Sequence, residues 1–328
     1  MRTQEPGVNL VDSIYNRHKA TFPVEYRELF VGEAKVRLQG YRAVVDVERN
    51  HTFSVVTSSY QLITNAEAID MGMRVFEQIL GRTVAEELVV YNVVLPGTRS
   101  FCHIDLTVEG HEFSFEKKDK YVPFLRVTNS YNRTRPLSFF FGFCRTICKN
   151  GVIFSPIGAK ISAYHTGAQI RDLKVGEMDL RLLRNAQAKF TESLLNLSRY
   201  AVPPNQMLPL LCKVFQIRVD ESSLKKPLAR TQAIALHAKI EELTNRYFFE
   251  LGHNGYAALN VLTDFASNPT TLRFGGEGRI HRYQTDSMKW IEDFTTKIQE
   301  KTFSFSDYVG SAAATAKLIS NIQEKAEN

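Results

Sequence analysis

The sequence predicts an α+β fold, with a β-rich antiparallel N-terminal half that contains a few helices and an α-helical C-terminal half. Up to about residue 170, short runs of β-branched and aromatic residues alternate with turn residues. From about residue 172, apolar residues recur at spacings of three and four, as in amphipathic helices. We therefore expect a β-rich α+β domain over residues 1–170 and an α-helical region over residues 171–328.

The first elements are a lead-in and a strand pair. Residues 1–20 are polar and show no strong periodicity, so no element is predicted there. Two runs of valine and phenylalanine, residues 44–47 and 53–56, lie on either side of the turn "ERNHT". This arrangement predicts two strands joined by that turn.

A helix is predicted over "TNAEAIDMGMRVFEQILG". Thr64 or Asn65 is its expected N-cap, and Gly81 is its expected end. Apolar residues at spacings of three and four predict one buried stripe. The stripe consists of Ile69, Met73, Phe76 and Leu80.

The next segments predict an antiparallel meander. "YVPFLRVTNS" and "PLSFFFGF" are expected to pair around an arginine-rich turn, because both alternate as strands do. After them, "FCRTICKNG" predicts a short helix with Phe140, Phe143, Cys144 and Ile147 on one face. One strand face is expected to be core, since large apolar residues are usually buried. It carries Leu137, Phe139, Phe141 and Phe143.

Helices dominate the second half. Proline pairs, Asn-Pro and glycine-rich strings separate the apolar-periodic segments, which is where helices end. The predicted helices are "VGEMDLRLLRNAQAKFTESLLNLSRYAV", "NQMLPLLCKVFQI", "ARTQAIALHAKIEELTNRYFFELG", "NGYAALNVLTDFASNP", a segment after "GGEG", and the alanine-rich tail.

Composition restricts the class of protein. The chain has 328 residues, of which 44% are hydrophobic and 23% charged, which is typical of a globular protein. No apolar run approaches the ~20 residues needed to span a bilayer, so no membrane association is expected. The first residues contain no apolar segment typical of a signal peptide. The four cysteines form no paired framework, so reduced thiols in a cytoplasm are expected.

Positive charge is concentrated in one stretch, residues 117–149, which we call the basic segment. It contains eight basic residues and one acid, a net charge of +7, whereas the whole chain has +6 and the remainder therefore −1. Localised positive charge is typical of proteins with anionic partners. It also occurs on solvated loops that bind nothing.

Several strings occur together in an order that resembles a known family. They are "SSYQLITNAEAIDMGMRVFEQILG", "LRVTNSYNRTRPLSFFFGFCRTICKNG", "YHTG" and "YAALNVLTDFA". The sequence resembles the domain-of-unknown-function family 932, the phage and plasmid-like proteins, over roughly residues 55–266. The central block of that resemblance comprises Asn129-Ser130, the turn Tyr131 to Arg135, Arg145, Cys148 and Asn150-Gly151, followed by His165-Thr166-Gly167.

The resemblance implies a genetic context more than a chemistry. Members of the family are carried by phages, plasmids and prophages, often among genes of DNA metabolism. No activity and no catalytic residue comes with the family. The arginine-rich turn departs from the acidic or glycine-containing turn that is usual in it.

The basic segment is the candidate binding site. Lysine and arginine would follow phosphates, and exposed aromatic rings would stack on unpaired bases. Two of its arginines, Arg126 and Arg145, sit inside apolar elements, where pairing with a carboxylate such as Asp105 or Glu116 is the alternative. The residues assigned to nucleic-acid or partner binding are Lys117, Lys118, Lys120, Arg126, Asn129, Tyr131, Asn132, Arg133, Arg135, Arg145 and Lys149.

Enzymatic and metal sites have weaker signals. Cys144 and Cys148 lie four residues apart and could bind zinc with Cys102, His103 or His111, but the spacing fits no zinc knuckle and buried thiols are favoured. His165 lacks an accompanying nucleophile motif. The loop "RFGGEGR" lacks the preceding strand and the Gly-Lys of a phosphate loop. We assign no catalytic residue, metal or cofactor, and an enzyme stays the less favoured class.

Two functions are therefore carried forward. The first is a non-enzymatic phage or mobile-element protein that binds DNA, preferably single-stranded, with the C-terminal helices supporting a homo-oligomer. The alternative is a phage-encoded protein that binds and inhibits a host defence complex through the same positive, aromatic-bearing surface. DNA and a host protein are the respective partners.

Overall fold

The computed structural model describes residues 10–115, 119–146, 150–154, 160–163, 180–268 and 277–327. The α+β fold is confirmed, with antiparallel strands in the N-terminal half and mostly helices in the C-terminal half. The strands are β1 (Val24–Val31), β2 (Val36–Asp46), β3 (His51–Thr57), β4 (Leu88–Val94), β5 (Phe101–Val108), β6 (Phe113–Phe115), β7 (Asp119–Ser130), β8 (Leu137–Arg145), β9 (Asn150–Ile153) and β10 (Lys160–Ala163). The helices are α1 (Leu10–Ala20), α2 (Asn65–Leu80), α3 (Leu180–Arg199), α4 (Met207–Val214), α5 (Glu221–Leu224), α6 (Pro227–Leu251), α7 (Gly255–Ser267), α8 (Ile280–Lys297), α9 (Phe305–Val309) and α10 (Ala312–Glu327).

The chain divides into two compact units. Unit 1 takes most of the first half of the sequence, and unit 2 takes most of the second half. Unit 2 also includes Phe115, Asp119 and residues 150–154, which the sequence pattern places in the β-rich domain.

Unit 1 contains two antiparallel sheets. The smaller sheet has the order β1-β2-β3, and the larger one follows the path β10-β8-β7-β5-β4. Helix α1 packs on β4, and α2 packs on β5. The strand pair predicted around "ERNHT" is confirmed as β2 and β3, in which Val44 lies opposite Ser54 and Asp46 opposite His51.

Helix α1 replaces the lead-in that was expected to carry no element. Its sequence lacks a strong apolar stripe, and Ile14 and Tyr15 are 66% and 67% exposed. Side-chain hydrogen bonds hold it to β4 instead. Asn16 donates to the carbonyls of Val90 and Tyr91, and Ser13 accepts from the Val90 amide. These contacts are made across more than 70 residues of chain, which local periodicity does not register.

Helix α2 confirms the predicted caps. Thr64 and Glu67 form a reciprocal capping box, and Gly81 ends the helix in the left-handed conformation with φ +67°. The buried stripe is rotated from the predicted one, because Ile69 and Phe76 are buried but Met73 and Leu80 are only half-buried. The centre of the contact is Gly72, where a Cβ atom would overlap the Leu106 side chain of β5.

Strands β7 and β8 form the predicted hairpin. Their register runs from Tyr121 opposite Arg145 to Thr128 opposite Ser138. The predicted apolar face of β8 is confirmed, with exposures of 0–4%. Those residues are Leu137, Phe139, Phe141 and Phe143.

The short helix predicted over "FCRTICKNG" is wrong for the described residues of that segment. Cys144 and Arg145 continue β8, since Cys144 pairs with Val122 and Arg145 with Tyr121. Pairing with a long buried strand outweighs the local helical spacing. Ile147 and Cys148 lie outside the described residues.

Unit 2 is built around α7. Every residue of α7 from Gly255 to Ala266 is buried, and α6 and α8 pack on it. Asn254 caps α7 by accepting from the Ala257 amide at 2.9 Å. Strand β9 also packs on α7 and α8, and its Asn150 side chain donates to the Tyr247 hydroxyl at 2.9 Å.

Among the described helices, none combines the length and the apolar character that crossing a bilayer requires.

Candidate nucleic-acid interface

The centre of the candidate site is the connection between β7 and β8, residues 131–136, which we call the basic turn. Ser130 closes it, because its hydroxyl donates to the Arg135 carbonyl at 2.7 Å and accepts from the Arg135 amide at 3.1 Å. Inside the turn, the Asn132 carboxamide oxygen accepts from both the amide and the hydroxyl of Thr134. The turn is therefore fixed by its own side chains.

The start of the basic turn is also fixed from outside. The Tyr131 amide donates to the Ser100 carbonyl at 2.9 Å, and the Ser54 hydroxyl donates to the Tyr131 carbonyl at 2.7 Å. Both backbone groups of Tyr131 are thus held by other loops and strands of unit 1. A turn held at its first residue presents the next residues in a constant direction.

Arg133 is the exposed cation of the basic turn. Its backbone has φ +63°, in the left-handed region that a non-glycine residue rarely adopts. Its side chain is exposed, and no carboxylate pairs with it among the described residues. An unpaired guanidinium at the tip of a fixed turn is available to an anion.

Arg135 is held against unit 1. It is half-buried, its guanidinium carbon lies 4.1 Å from the Phe101 ring centroid, and its Nη1 lies 2.9 Å from His103 Nε2. Burial lowers the pKa of Arg135 from its ordinary value. The guanidinium nevertheless stays charged at neutral pH, since arginine starts far above it.

The contact with Arg135 also fixes the state of His103. A guanidinium has only donors, so His103 Nε2 must accept, and Nδ1 must carry the proton that it shares with Thr128 Oγ1 at 2.8 Å. His103 is therefore neutral and fully buried, and its hydrogen bond with Arg135 helps to hold that guanidinium over the Phe101 ring.

The basic turn contacts one further loop of unit 1, and that loop contacts a second one. Arg49, in the β2–β3 turn, donates to the Gly97 carbonyl at 2.5 Å, and the 96–100 loop meets the basic turn through Ser100. Arg99 is paired with Asp46 at 3.2 Å and Glu48 at 2.7 Å. We call these three loops together the basic edge.

Charge on the basic edge is incompletely balanced. Arg99 takes up the two nearby acids, Asp46 and Glu48. Within the described part of the chain, no carboxylate pairs with Arg49, Arg133 or Arg135. Three guanidinium groups of the basic edge therefore have no paired carboxylate among the described residues.

Four residues assigned to the binding surface are in the interior. Arg126 and Asn129 are 0% exposed, Tyr131 is 1% exposed and Arg145 is 2% exposed, so none of them reaches a partner from this position. For Arg126 the alternative explanation is confirmed. Its Nε and Nη2 each lie 2.6 Å from one oxygen of Asp105, a bidentate pair across β5 and β7.

Asn129 and Tyr131 anchor α2. The Asn129 carboxamide donates to the Ile63 carbonyl and to Asn65 Oδ1, both at 2.9 Å. The Tyr131 hydroxyl accepts from the Asn65 amide at 2.9 Å, and its ring stacks on Phe53 with centroids 5.3 Å apart. The family-like Asn-Ser-Tyr string thus positions the first turn of a helix.

Lys120, the described lysine of the basic segment, does not join the basic turn. Lys120 starts β7, and ten residues of extended strand, about 33 Å, separate it from Ser130. Strand pairing places Lys120 beside the end of β8, where the Thr146 amide donates to its carbonyl. Lys117, Lys118 and Lys149 lie outside the described residues.

The thiols of the described part are buried. Cys102, Cys144 and Cys212 form no disulfide, and burial raises the pKa of Cys212 to about 12. Within the described ranges, no three histidine, cysteine or acidic side chains are grouped as a metal would require. Cys148, His165 and residues 273–276 of the glycine-rich loop lie outside those ranges.

Arg49 is the residue that the sequence pattern missed. It belongs to a turn more than 80 residues before the basic turn, and only the packing of the two sheets brings the two together. The available signal was weak: the turns "ERNHT" and "PGTRS" each carry one arginine.

The comparisons with known proteins identify the family. No curated protein and no solved structure matches the chain. A family model described as "Domain of unknown function (DUF932)" matches residues 52–286, which include the basic turn, the anchored helix α2 and most of unit 2. The resemblance found in the sequence is confirmed, and the chain belongs to the DUF932 family.

Proposed function

We propose that this protein is a non-enzymatic, phage or mobile-element DNA-binding protein that holds single-stranded DNA on the basic edge. Arg49, Arg133 and Arg135 contact phosphates, because guanidinium groups bind phosphate oxygens with paired donors. The proposal leaves Arg126 and Arg145 out of the contact and adds Arg49 to it.

One observation carries the proposal. Arg133 is exposed at φ +63° on a turn that hydrogen bonds fix at both ends, and no described carboxylate pairs with it. The left-handed backbone of a non-glycine residue costs about 1 kcal/mol. A loop whose only role is to be solvated would gain nothing in return for that cost. A fixed cation gains more from binding an anion than a mobile one does, since less conformational entropy is lost.

The preference for single strands has separate support. Arg135 and Phe101 form a cation–π pair on the basic edge, and both side chains are half-buried and so keep some exposed surface. Unpaired bases stack on guanidinium planes and aromatic rings, whereas duplex bases are already stacked.

Fluorescence anisotropy of a labelled single-stranded oligonucleotide across a salt series tests the proposal. Each phosphate contact contributes about 0.7 to the slope of log K against log salt for a single strand, so Arg133→Ala with Arg135→Ala should lower the slope by about 1.4. Arg74→Ala removes an exposed arginine from α2 and is the matched control, which should leave the slope unchanged. Equal slopes for the wild type and the double variant would refute the proposal.

The host-protein alternative has a different supporting observation. The tip of the β1–β2 hairpin exposes three large apolar side chains, Phe30 at 56%, Val31 at 49% and Val36 at 61%. Val31 and Val36 are direct cross-strand partners and form one patch, while Phe30, the neighbour of Val31 on β1, is exposed on the opposite face of the hairpin. Contiguous exposed apolar residues are typical of protein-binding sites.

Nuclease treatment separates the two functions. Under the alternative, pull-down from nuclease-treated host lysate retains one protein in stoichiometric amount, and Val36→Ser removes it while Arg74→Ala does not. Under DNA binding, nuclease removes everything that the wild type retains. Recovery of the same protein with Val36→Ser would count against the hairpin patch as its contact.

A further inference from the structure

A second basic site lies in unit 2, away from every residue of the basic edge in sequence. Three arginines line one cavity of about 290 Å³: Arg218 after α4, Arg279 before α8, and Arg282 in the first turn of α8. The wall between them is formed by Phe215 and Gln216. No carboxylate is among the described residues that line it.

The three guanidinium groups are only partly neutralised. Arg218 has no charged partner among the described residues, and Arg279 donates to the neutral hydroxyl of Tyr283 at 3.0 Å. Arg282 alone meets an acid, Asp286, at 3.3 Å, and that carboxylate also meets Lys289 at 3.5 Å. The cavity therefore keeps a clear excess of positive charge.

The cavity is built on a fixed wall. Gln216 has φ +53°, and its side-chain oxygen accepts from Arg282 Nη2 at 3.2 Å. This strained residue ends α4 and orients an arginine, where glycine or asparagine is usual. Phe215 stacks on Tyr283 with ring centroids 4.3 Å apart and an interplanar angle of 23°. Arg282 directly precedes Tyr283 in α8 and Arg279 donates to the Tyr283 hydroxyl, so this stack helps to fix both arginines.

The chemistry of the lining selects the ligand class. Arginine forks match the oxygens of a phosphate group, and three of them favour a dianion over a carboxylate. About 290 Å³ lies at the lower end of the range for small-molecule sites, which fits a phosphate group with a small substituent. We propose that this cavity binds a small phosphomonoester, with Arg218, Arg279 and Arg282 holding the phosphate.

Isothermal titration of the full chain at constant ionic strength tests the proposal, with adenosine 5′-monophosphate, inorganic phosphate and adenosine as probes. The two phosphates should bind and adenosine should not. Tighter binding of the monophosphate than of inorganic phosphate identifies a phosphomonoester as the ligand, and equal binding identifies free phosphate. Binding of adenosine as tight as that of its monophosphate would overturn the proposal.

Variants place the binding at this cavity. Arg218 is exposed and forms no hydrogen bond or ion pair with the described residues, so Arg218→Ala should leave the melting temperature unchanged and weaken phosphate binding at least tenfold. Arg279→Gln should weaken phosphate binding to a similar extent, with at most a small fall in the melting temperature, because it alters the hydrogen bond to the Tyr283 hydroxyl. Arg199→Ala, an exposed arginine of α3, is the charge-matched control and should bind as the wild type does. No detectable phosphate binding, or an equal loss with Arg199→Ala, would overturn the proposal. Loss in Arg133→Ala with Arg135→Ala would assign the phosphate to the basic edge instead.

Discussion

The body and the tip of the β7–β8 hairpin carry arginines in opposite environments. In the body, Arg126 is 0% exposed and bidentate to Asp105, whereas at the tip Arg133 is exposed and no described acid pairs with it. Arg133 lies only seven positions after Arg126 in the sequence. A charge count over the segment treats them as equal, but the strand pairing on each side decides which one can meet a partner.

The difference follows from the cost of burying charge. A guanidinium inside a sheet is tolerated only when a carboxylate neutralises it with good geometry, and Asp105 does so from the neighbouring strand β5. At the tip, water solvates the side chain and no such partner is needed. The body arginine is therefore committed to a carboxylate inside the fold, and the tip arginine is the one that our proposal assigns to binding.

The largest effect is expected for Arg126→Ala. Removing the guanidinium leaves the Asp105 carboxylate buried without its cation, which should cost about 3–5 kcal/mol of the free energy of unfolding. Urea unfolding followed by circular dichroism measures it. Replacing both members, as Arg126→Met with Asp105→Leu, should restore much of the loss, because no charge then remains buried. A loss below about 1 kcal/mol in the single variant would contradict the role assigned to the pair.

A smaller loss is expected for Tyr131→Phe. This change keeps the ring that stacks on Phe53 but leaves the Asn65 amide of α2 without its acceptor, at a cost of about 1–3 kcal/mol. The same urea experiment applies, and DNA affinity should not change, since Tyr131 is buried. Weakened oligonucleotide binding with unchanged stability would return Tyr131 to the binding surface.

The pH dependence of stability should report on Tyr60, a tyrosine whose pKa is sensitive to the charge of Arg133 in the basic turn. Burial raises the pKa of Tyr60 to about 12, while the positive charge of Arg133 lowers it somewhat. Because the folded pKa is above the unfolded one, the stabilisation is complete below pH 10 and is lost as the pH rises toward 12. Tyr60→Phe should flatten the fall of the unfolding midpoint over that window. A fall as steep as in the wild type would mean that Tyr60 does not titrate as described.

Much of the fold is predictable because its signals are local. The Thr64–Glu67 capping box, Gly81 and the alternating phenylalanines of β8 are all decided within a few residues. Helix α1 and the strand end at Arg145 are not, since each depends on hydrogen bonds or strand pairing with distant segments. The local spacing of apolar residues predicts no helix at α1, and it wrongly predicts a helix at the end of β8.

The candidate site is less predictable, for a related reason. Net charge identifies the segment that contains Arg133 and Arg135, but it assigns Arg126 and Arg145 to the same surface and cannot exclude them. It also joins Lys120 to the turn, although an extended strand keeps them about 33 Å apart. Arg49 enters the site only through the contact between loops that are far apart in sequence.

The smallest effect on stability, and the most direct test of the division between body and tip, comes from Arg133→Ala alone. The free energy of unfolding should stay within about 0.5 kcal/mol of the wild-type value, because the Arg133 side chain is exposed. In the same preparation, the salt slope of single-stranded DNA binding should fall by about 0.7, with Arg74→Ala unchanged. A variant that binds DNA with the wild-type slope, or that loses several kcal/mol of stability, would contradict the account.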